Sequence, residues 1–190
     1  MLAVTLHVLT LTPSAVPQTG GTFVRGSSAL MNPKAHGTAP HAVPQHIRWG
    51  CDRGLADWCC CFNRHLAEPS GYWRTTRFLA EDDRSGPTIY YDSVTSKPLF
   101  VAPIVRSWKE FLLETEEHGW PSFRDDEVVW ENVRVLSDGE CVSVDGSHLG
   151  HSIPDEQGSR YCINLVSVSG LPRQRLGSED AIRQALRAHK

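Results

Sequence analysis

Two Asp-Gly pairs, each set behind a β-rich segment, restrict the fold of this chain more than any other feature. Val128 to Leu136 leads into Asp138-Gly139, and Glu140 to Val144 leads into Asp145-Gly146. Asp-Gly between apolar segments is a hairpin signal, because both residues tolerate the positive φ of a tight turn. Tyr161 to Val168 is a third strongly β segment, closed by Leu171-Pro172. Upstream, Thr88 to Val94 (TIYYDSV) reads as a strand, and Leu99 to Val101 continues the sheet after the break at Pro98. No repeat interrupts this order. The pattern predicts a mainly β domain of antiparallel strands.

One helix is inserted among the strands. Ser107 and Glu110 form a capping box. Trp108, Phe111, Leu112 and Thr115 then recur at i, i+3, i+4 and i+7, which predicts one buried face. Glu110, Glu114, Glu116 and Glu117 read as the solvated face, and Gly119 stops the helix. A short C-terminal helix is expected over Ser178 to Leu186, where Ile182, Ala185 and Leu186 share a spacing.

The 190 residues carry a net charge of -3, distributed unevenly. Residues 1–50 contain Arg25, Lys34 and Arg48 and no acid, so this stretch is +3 and the remainder is -6. Five of the 12 prolines also lie there, among Gly, Ser and His. The expected organisation is a flexible or targeting extension at 1–69, a folded domain at 70–175 and a helical tail at 176–190. The apolar run Leu2 to Leu11 leaves a plain extension, an organellar transit peptide and a secretory signal all open. The resulting expectation is a cytoplasmic or organellar protein. No run of 18 apolar residues predicts a membrane span. The slightly acidic balance argues against a dedicated nucleic-acid binder.

The six cysteines are Cys51, Cys59, Cys60, Cys61, Cys141 and Cys162. None forms a C-x-x-C pair, so a zinc ribbon is not expected, and the consecutive run Cys59 to Cys61 has the wrong spacing for one tetrahedral ion. Cys162 stands apart. On a strand Arg160-Tyr161-Cys162-Ile163-Asn164, alternation puts Arg160, Cys162 and Asn164 on one face and Tyr161 and Ile163 on the other. A guanidinium beside the thiol favours the thiolate. A fall of ~1.5 units from a thiol pKa of about 8.5 would leave it roughly half ionised at neutral pH. The plain structural alternative is a small, half-buried cysteine on a sheet.

Two further clusters contain groups suited to chemistry. His148-Leu149-Gly150-His151, between turn signals, reads as lying in or beside a loop and offers two imidazoles that titrate near neutrality. They are acid–base groups, surface histidines, or two ligands of a metal-dependent β module lacking an evident third donor. His118-Gly119-Trp120-Pro121-Ser122-Phe123 is a stiff aromatic turn, either a core plug or a wall for an apolar ligand group.

Taken in order, Gly119-Trp120-Pro121-Ser122-Phe123, His148-Leu149-Gly150-His151 and Arg160-Tyr161-Cys162-Ile163-Asn164 resemble the signature of B-type methionine sulfoxide reductases. Asp92 to Phe100 (DSVTSKPLF) resembles the segment that precedes it. The resemblance covers roughly Tyr90 to Ser169. It implies two antiparallel sheets forming an open, tent-like barrel (Mss4-like), and reduction of methionine-R-sulfoxide in oxidised proteins. It implies Cys162 as nucleophile, with His148 and His151 binding and protonating the sulfoxide oxygen and Asn164 and Arg160 supporting. Trp120, with Phe123 beside it, would contact the substrate methyl. The Cys162 sulfenic acid would be cleared by a resolving cysteine and a thioredoxin-like reductant, or by another thiol acting directly. No bound cofactor, metal, nucleic acid or membrane enters this scheme, and a monomer is expected.

The chain departs from the family pattern at several positions. Asp92 and Thr95, and Val142 and Asp145, stand where many members carry two zinc-binding C-x-x-C pairs. His118 occupies the place of one familiar resolving cysteine, which leaves Cys141, or the Cys59 to Cys61 run, as candidates. Ile153 replaces an aromatic, and the segment from Phe100 to Gly119 is longer than usual. A non-catalytic binding module for oxidised methionine or a protein partner is therefore a rival from a different class.

Overall fold

The computed structural model describes residues 23–81 and 84–172. The expected C-terminal helix and the apolar run at Leu2 to Leu11 lie outside these residues.

The segment expected to be a flexible arm is folded throughout residues 23–69. Asp52 caps helix α1 (Arg53–Asp57) by accepting the Leu55 N–H at 2.6 Å, and the chain continues into a wider π turn, Trp58–Phe62. Trp49, Ala56, Cys59, Cys60 and Cys61 are buried in the main hydrophobic core. Burial of that apolar surface offsets the entropy cost of ordering a segment rich in Pro and Gly. Residues 24–26 run along one sheet edge, where Gly26 N–H donates to the Val135 carbonyl (3.0 Å) and Val135 N–H to that of Val24 (3.1 Å). They cover what would be an open strand edge. A second short helix, α2 (Phe78–Glu81), buries Phe78 against Trp49.

Beyond these elements the fold of the described residues is mainly β, with two antiparallel sheets and no closed barrel among them. Strands β1 (Thr88–Tyr91) and β2 (Pro98–Ala102) form one pair. Helix α3 (Trp108–His118) follows, and its Ser107–Glu110 capping box and left-handed Gly119 are as the sequence indicates. Its acidic face is solvated except at Glu114, which pairs with both Arg106 and Arg124. The second sheet comprises β3 (Ser122–Phe123), β4 (Val133–Val135), β5 (Glu140–Ser143), β6 (His148–Ser152) and β7 (Tyr161–Ile163), in the spatial order β3-β7-β6-β5-β4. Both Asp-Gly hairpins form, Asp138-Gly139 joining β4 to β5 and Asp145-Gly146 joining β5 to β6.

Three segments differ from the sequence pattern. The Val128 to Leu136 strand narrows to Val133–Val135, because Val128 and Val129 are drawn against β2 (Val129 N–H to Leu99 carbonyl, 2.9 Å). The Tyr161 to Val168 strand ends at Ile163. The Glu68 carboxylate takes the N–H groups of Leu165 (2.8 Å) and Val166 (2.9 Å), and the chain turns there into a 3₁₀ helix instead of extending a ladder. His148 to His151, expected in or beside a loop, lies within strand β6, which follows the Asp145-Gly146 turn. Among the described residues no helix is long and apolar enough to cross a membrane.

Candidate functional site

The register of the larger sheet sorts the candidate residues onto two faces. Glu140 of β5 lies opposite His151 of β6, which lies opposite Cys162 of β7, which lies opposite Ser122 of β3. Directly opposed residues share a face with Cβ atoms about 5 Å apart. The next rung, Val135, Cys141, Gly150 and Ile163, points into the core.

A bulge adds His148 to the first face. Cys141 pairs with Gly150 while Val142 pairs with His148, so Leu149 is an extra residue on β6. Strict alternation would send His148 and His151 to opposite faces. With the bulge, their rings meet at 5.4 Å between centroids and 63° between planes, while Leu149 is buried in the core. Gly150 allows the close pairing this requires, since a Cβ there would sit 2.1 Å from the Cys162 carbonyl oxygen.

His148 is 1% exposed, and its Nδ1 lies 2.8 Å from Glu140 Oε1. Arg64 Nε donates to the other Glu140 oxygen at 2.9 Å. Burial disfavours the Glu140 charge, but the bonds to His148 and Arg64 outweigh it and hold the carboxyl below its ordinary range. The Nδ1 contact fixes the orientation of the His148 ring and leaves Nε2 as the nitrogen free of Glu140. His151 is half-buried; burial and the neighbouring His148 push its pKa down, so at neutral pH it is an uncharged base.

Cys162 is the one partly exposed thiol; the other five cysteines are buried. Arg160 lies close enough to the sulfur for its charge to favour the thiolate, as alternation predicts. The expected ionisation does not follow. Burial raises the Cys162 pKa and outweighs the favourable influence of Arg160, and Glu68 adds a smaller upward push. The resting sulfur is therefore a protonated thiol, and an activating step has to remove its proton. Arg160 is 6% exposed, with Nε 3.2 Å from Asp155 Oδ2. Asp155 also accepts two bonds from Arg124 (2.9 and 2.8 Å), so the guanidinium beside the thiol is backed by an ordered ion pair.

Asn164 is buried, and its amide serves the backbone: Oδ1 accepts the Glu68 N–H (3.0 Å) and Nδ2 donates to the Leu149 carbonyl (3.2 Å). It positions the strand ends and is not aimed at a ligand. Trp120 is partly buried, and its Nε1 donates to the Glu68 carbonyl at 2.9 Å. Phe123 is not a pocket wall. On β3 it pairs with Tyr161, opposite in facing to Ser122, and is fully buried, stacked on Phe100 at 4.3 Å. Cys141 is likewise on the core face, fully buried, with β6 between it and Cys162; burial pushes its pKa far up. It does not face Cys162 in this conformation. The run Cys59 to Cys61 is buried as well, and burial pushes Cys59 and Cys61 up to about 12.

Glu68 and Glu140 are the residues that sequence reasoning missed. Glu68 is 1% exposed and touches Asn164, Trp120 and the turn after β7 at once. Burial raises its carboxyl to about 7 despite two backbone donors. Nothing in Ala67-Glu68-Pro69 signals this local role. Glu140 sits in an ordinary hairpin strand, and only the bulge reveals its partner. A scan against known protein-family models finds no match for this chain.

Proposed function

We propose that this protein is a thiol-dependent reductase of methionine-R-sulfoxide in oxidised proteins, of the B-type methionine sulfoxide reductase kind, with the tent-like two-sheet fold of that family. The observation that carries the reading is the single row Glu140, His151, Cys162, with His148 brought onto the same face by the Leu149 bulge. It puts a partly exposed thiol, a neutral imidazole and a carboxylate-oriented imidazole on one surface. A second support is the meeting of the two loops that carry zinc ligands in many family members. Here Asp92 joins them, accepting the Val94 N–H (2.8 Å) and the Ser147 hydroxyl (3.0 Å), and Lys97 reaches Asp145 (3.0 Å).

The proposed chemistry starts from the protonated thiol. His151 accepts the Cys162 proton as the sulfur attacks the sulfoxide sulfur and forms an S–S bond, and that one proton passes from His151, beside His148, to the sulfoxide oxygen. The hydroxyl then moves to Cys162: the S–O bond and the transient S–S bond break, the substrate leaves with its sulfur reduced by two electrons, and Cys162, oxidised by two, becomes a sulfenic acid. Arg160 stabilises negative charge on sulfur during the attack. Trp120 offers an indole face to the substrate methyl. A small external thiol or a thioredoxin-like reductant then condenses with the sulfenic acid, releasing water, and a second thiol cleaves the mixed disulfide. Direct external attack is favoured over an internal resolving cysteine because the other five cysteines are buried.

Turnover of an R-sulfoxide peptide with dithiothreitol tests the reading. Product that requires Cys162, and a sulfenic acid trapped on Cys162 when thiol is withheld, are expected. The raised Cys162 pKa favours one alternative, a non-catalytic module that binds oxidised methionine on the same face. Binding of the sulfoxide peptide without Cys162-dependent product would establish that alternative.

A further inference from the structure

A second cluster of donor atoms lies away from the Cys162 face. His36, Asp57 and Cys61 each present one ligand atom, and all three atoms lie within 4.8 Å of one another. We propose that His36, Asp57 and Cys61 form a binding site for one divalent cation of the zinc class, and that the ion fastens the loop around His36 to helix α1 and its π turn. This inference is independent of the reductase reading.

The framework around the three donors is already assembled. Asp57 and Cys61 are four residues apart where α1 passes into the π turn, so their side chains share a side; Cys61 Sγ is 4.0 Å from Asp57 Oδ1. His36 Nε2 lies 2.9 Å from Asp57 Oδ2. Outer contacts hold each ligand in place. Val43 N–H donates to Asp57 Oδ1 at 2.8 Å, and Thr38 N–H to the Cys61 carbonyl at 2.8 Å. The His36 ring packs edge-on against Phe62 at 4.7 Å. Such outer contacts are what orient the ligands of a metal centre. At Gly37 the loop comes so close that a Cβ would sit 2.0 Å from the Cys61 carbonyl oxygen.

Donor type and charge select the ion. One nitrogen, one oxygen and one sulfur suit zinc, whose bonds of about 2.0–2.3 Å place neighbouring ligand atoms roughly 3.3–3.8 Å apart. The observed separations need only small side-chain adjustments to reach that range. One carboxylate and one thiolate neutralise a divalent cation, so a largely buried centre carries no net charge. Cys61 is 1% exposed, whereas the His36 and Asp57 side chains are 29% and 18% exposed, so the ion enters from their side and a water completes the coordination. Binding forms the metal–sulfur bond as the Cys61 proton leaves to solvent, with no change in oxidation state. The other donor triad among the described residues, Glu114, His118 and Asp155, differs in this respect. Arg106 and Arg124 already bind its carboxylates, so cations occupy the positions an ion would need.

Titration of the reduced, metal-free full chain with zinc, and in parallel with cobalt, tests the proposal. One equivalent should bind, zinc should raise the melting temperature, and cobalt should give a thiolate charge-transfer band. Cys61→Ser should remove the band. His36→Gln, at a partly exposed position, should weaken binding by more than about tenfold, the scale on which even outer-shell losses act. Cys162→Ser should keep both the band and the affinity. Absence of a thiolate band in the wild type, a band that survives His36→Gln at full affinity, or a band lost in Cys162→Ser would each overturn the site.

Discussion

The two faces of the five-stranded sheet hold thiols of opposite character. Cys162 and Cys141 are separated by one intervening strand, yet they fall on rungs that differ by one residue in register. One points to a partly open surface lined by His151 and Arg160; the other is sealed with Ile163 and Val135 in the core. The period-two alternation of a strand is enough to separate a candidate nucleophile from an inert packing group. A similar contrast divides Trp120 from Phe123, three residues apart, one partly buried with its indole N–H on the Glu68 carbonyl and one fully buried on Phe100.

The sharpest way to break this comparison is to remove each thiol in turn. Cys162→Ser should lower dithiothreitol-driven reduction by roughly 10³-fold or more, as loss of a nucleophile does. Cys141→Ser should leave turnover in place and cost about 1–3 kcal/mol in stability, from burying a hydroxyl. Denaturant melts and steady-state rates on both variants decide the matter, and the reverse pattern would place the nucleophile on the core face. Next in size is Glu140→Gln. It weakens the hold on His148 and should lower kcat roughly 10²-fold with little change in KM; an unchanged rate would remove the Glu140–His148 pair from the chemistry.

Phe123→Ala should cost about 3–5 kcal/mol in stability, while Trp120→Ala should raise KM roughly tenfold with a small change in melting temperature. Exchange of those two outcomes would put Phe123 back in the pocket. A further effect is a pH dependence. The Glu68 carboxyl titrates at about 7 in the fold against 4.5 ordinarily. Its protonated form therefore adds stability that is complete below pH 4.5 and is lost as pH rises through about 7. The difference is on the order of 3 kcal/mol. Melting curves across that range should slope downward for the wild type and flatten for Glu68→Gln; parallel slopes would show that Glu68 is not the group responsible.

Elements with local signals were legible in the sequence. The Ser107–Glu110 box, the Gly119 stop, both Asp-Gly hairpins and the shared face of Arg160 and Cys162 all arise from residues close together in the chain. What escaped depends on distant partners. The Leu149 bulge exists because β6 is pinned between β5 and β7, and no residue in His-Leu-Gly-His announces it. The strand after Tyr161 stops because a carboxylate from Glu68 arrives across the fold. Residues 23–69 looked like an unstructured arm on composition, yet Trp49 and the cysteine run supply part of the core. The Cys162 pKa escapes for a related reason: the nearby Arg160 is visible in the sequence, whereas the burial that opposes it is a property of the whole assembled sheet.

Gly150 lets two strands approach with a hydrogen where any other residue would carry a carbon. That has a consequence for how this chain can evolve. A saturation library selected only for a soluble product should return almost nothing but glycine at this codon, even in a background where Cys162 has been sacrificed. The position is constrained first by the seam between β6 and β7 and only then by what the histidines do, so tolerance at 150 measures assembly and gives no information on activity.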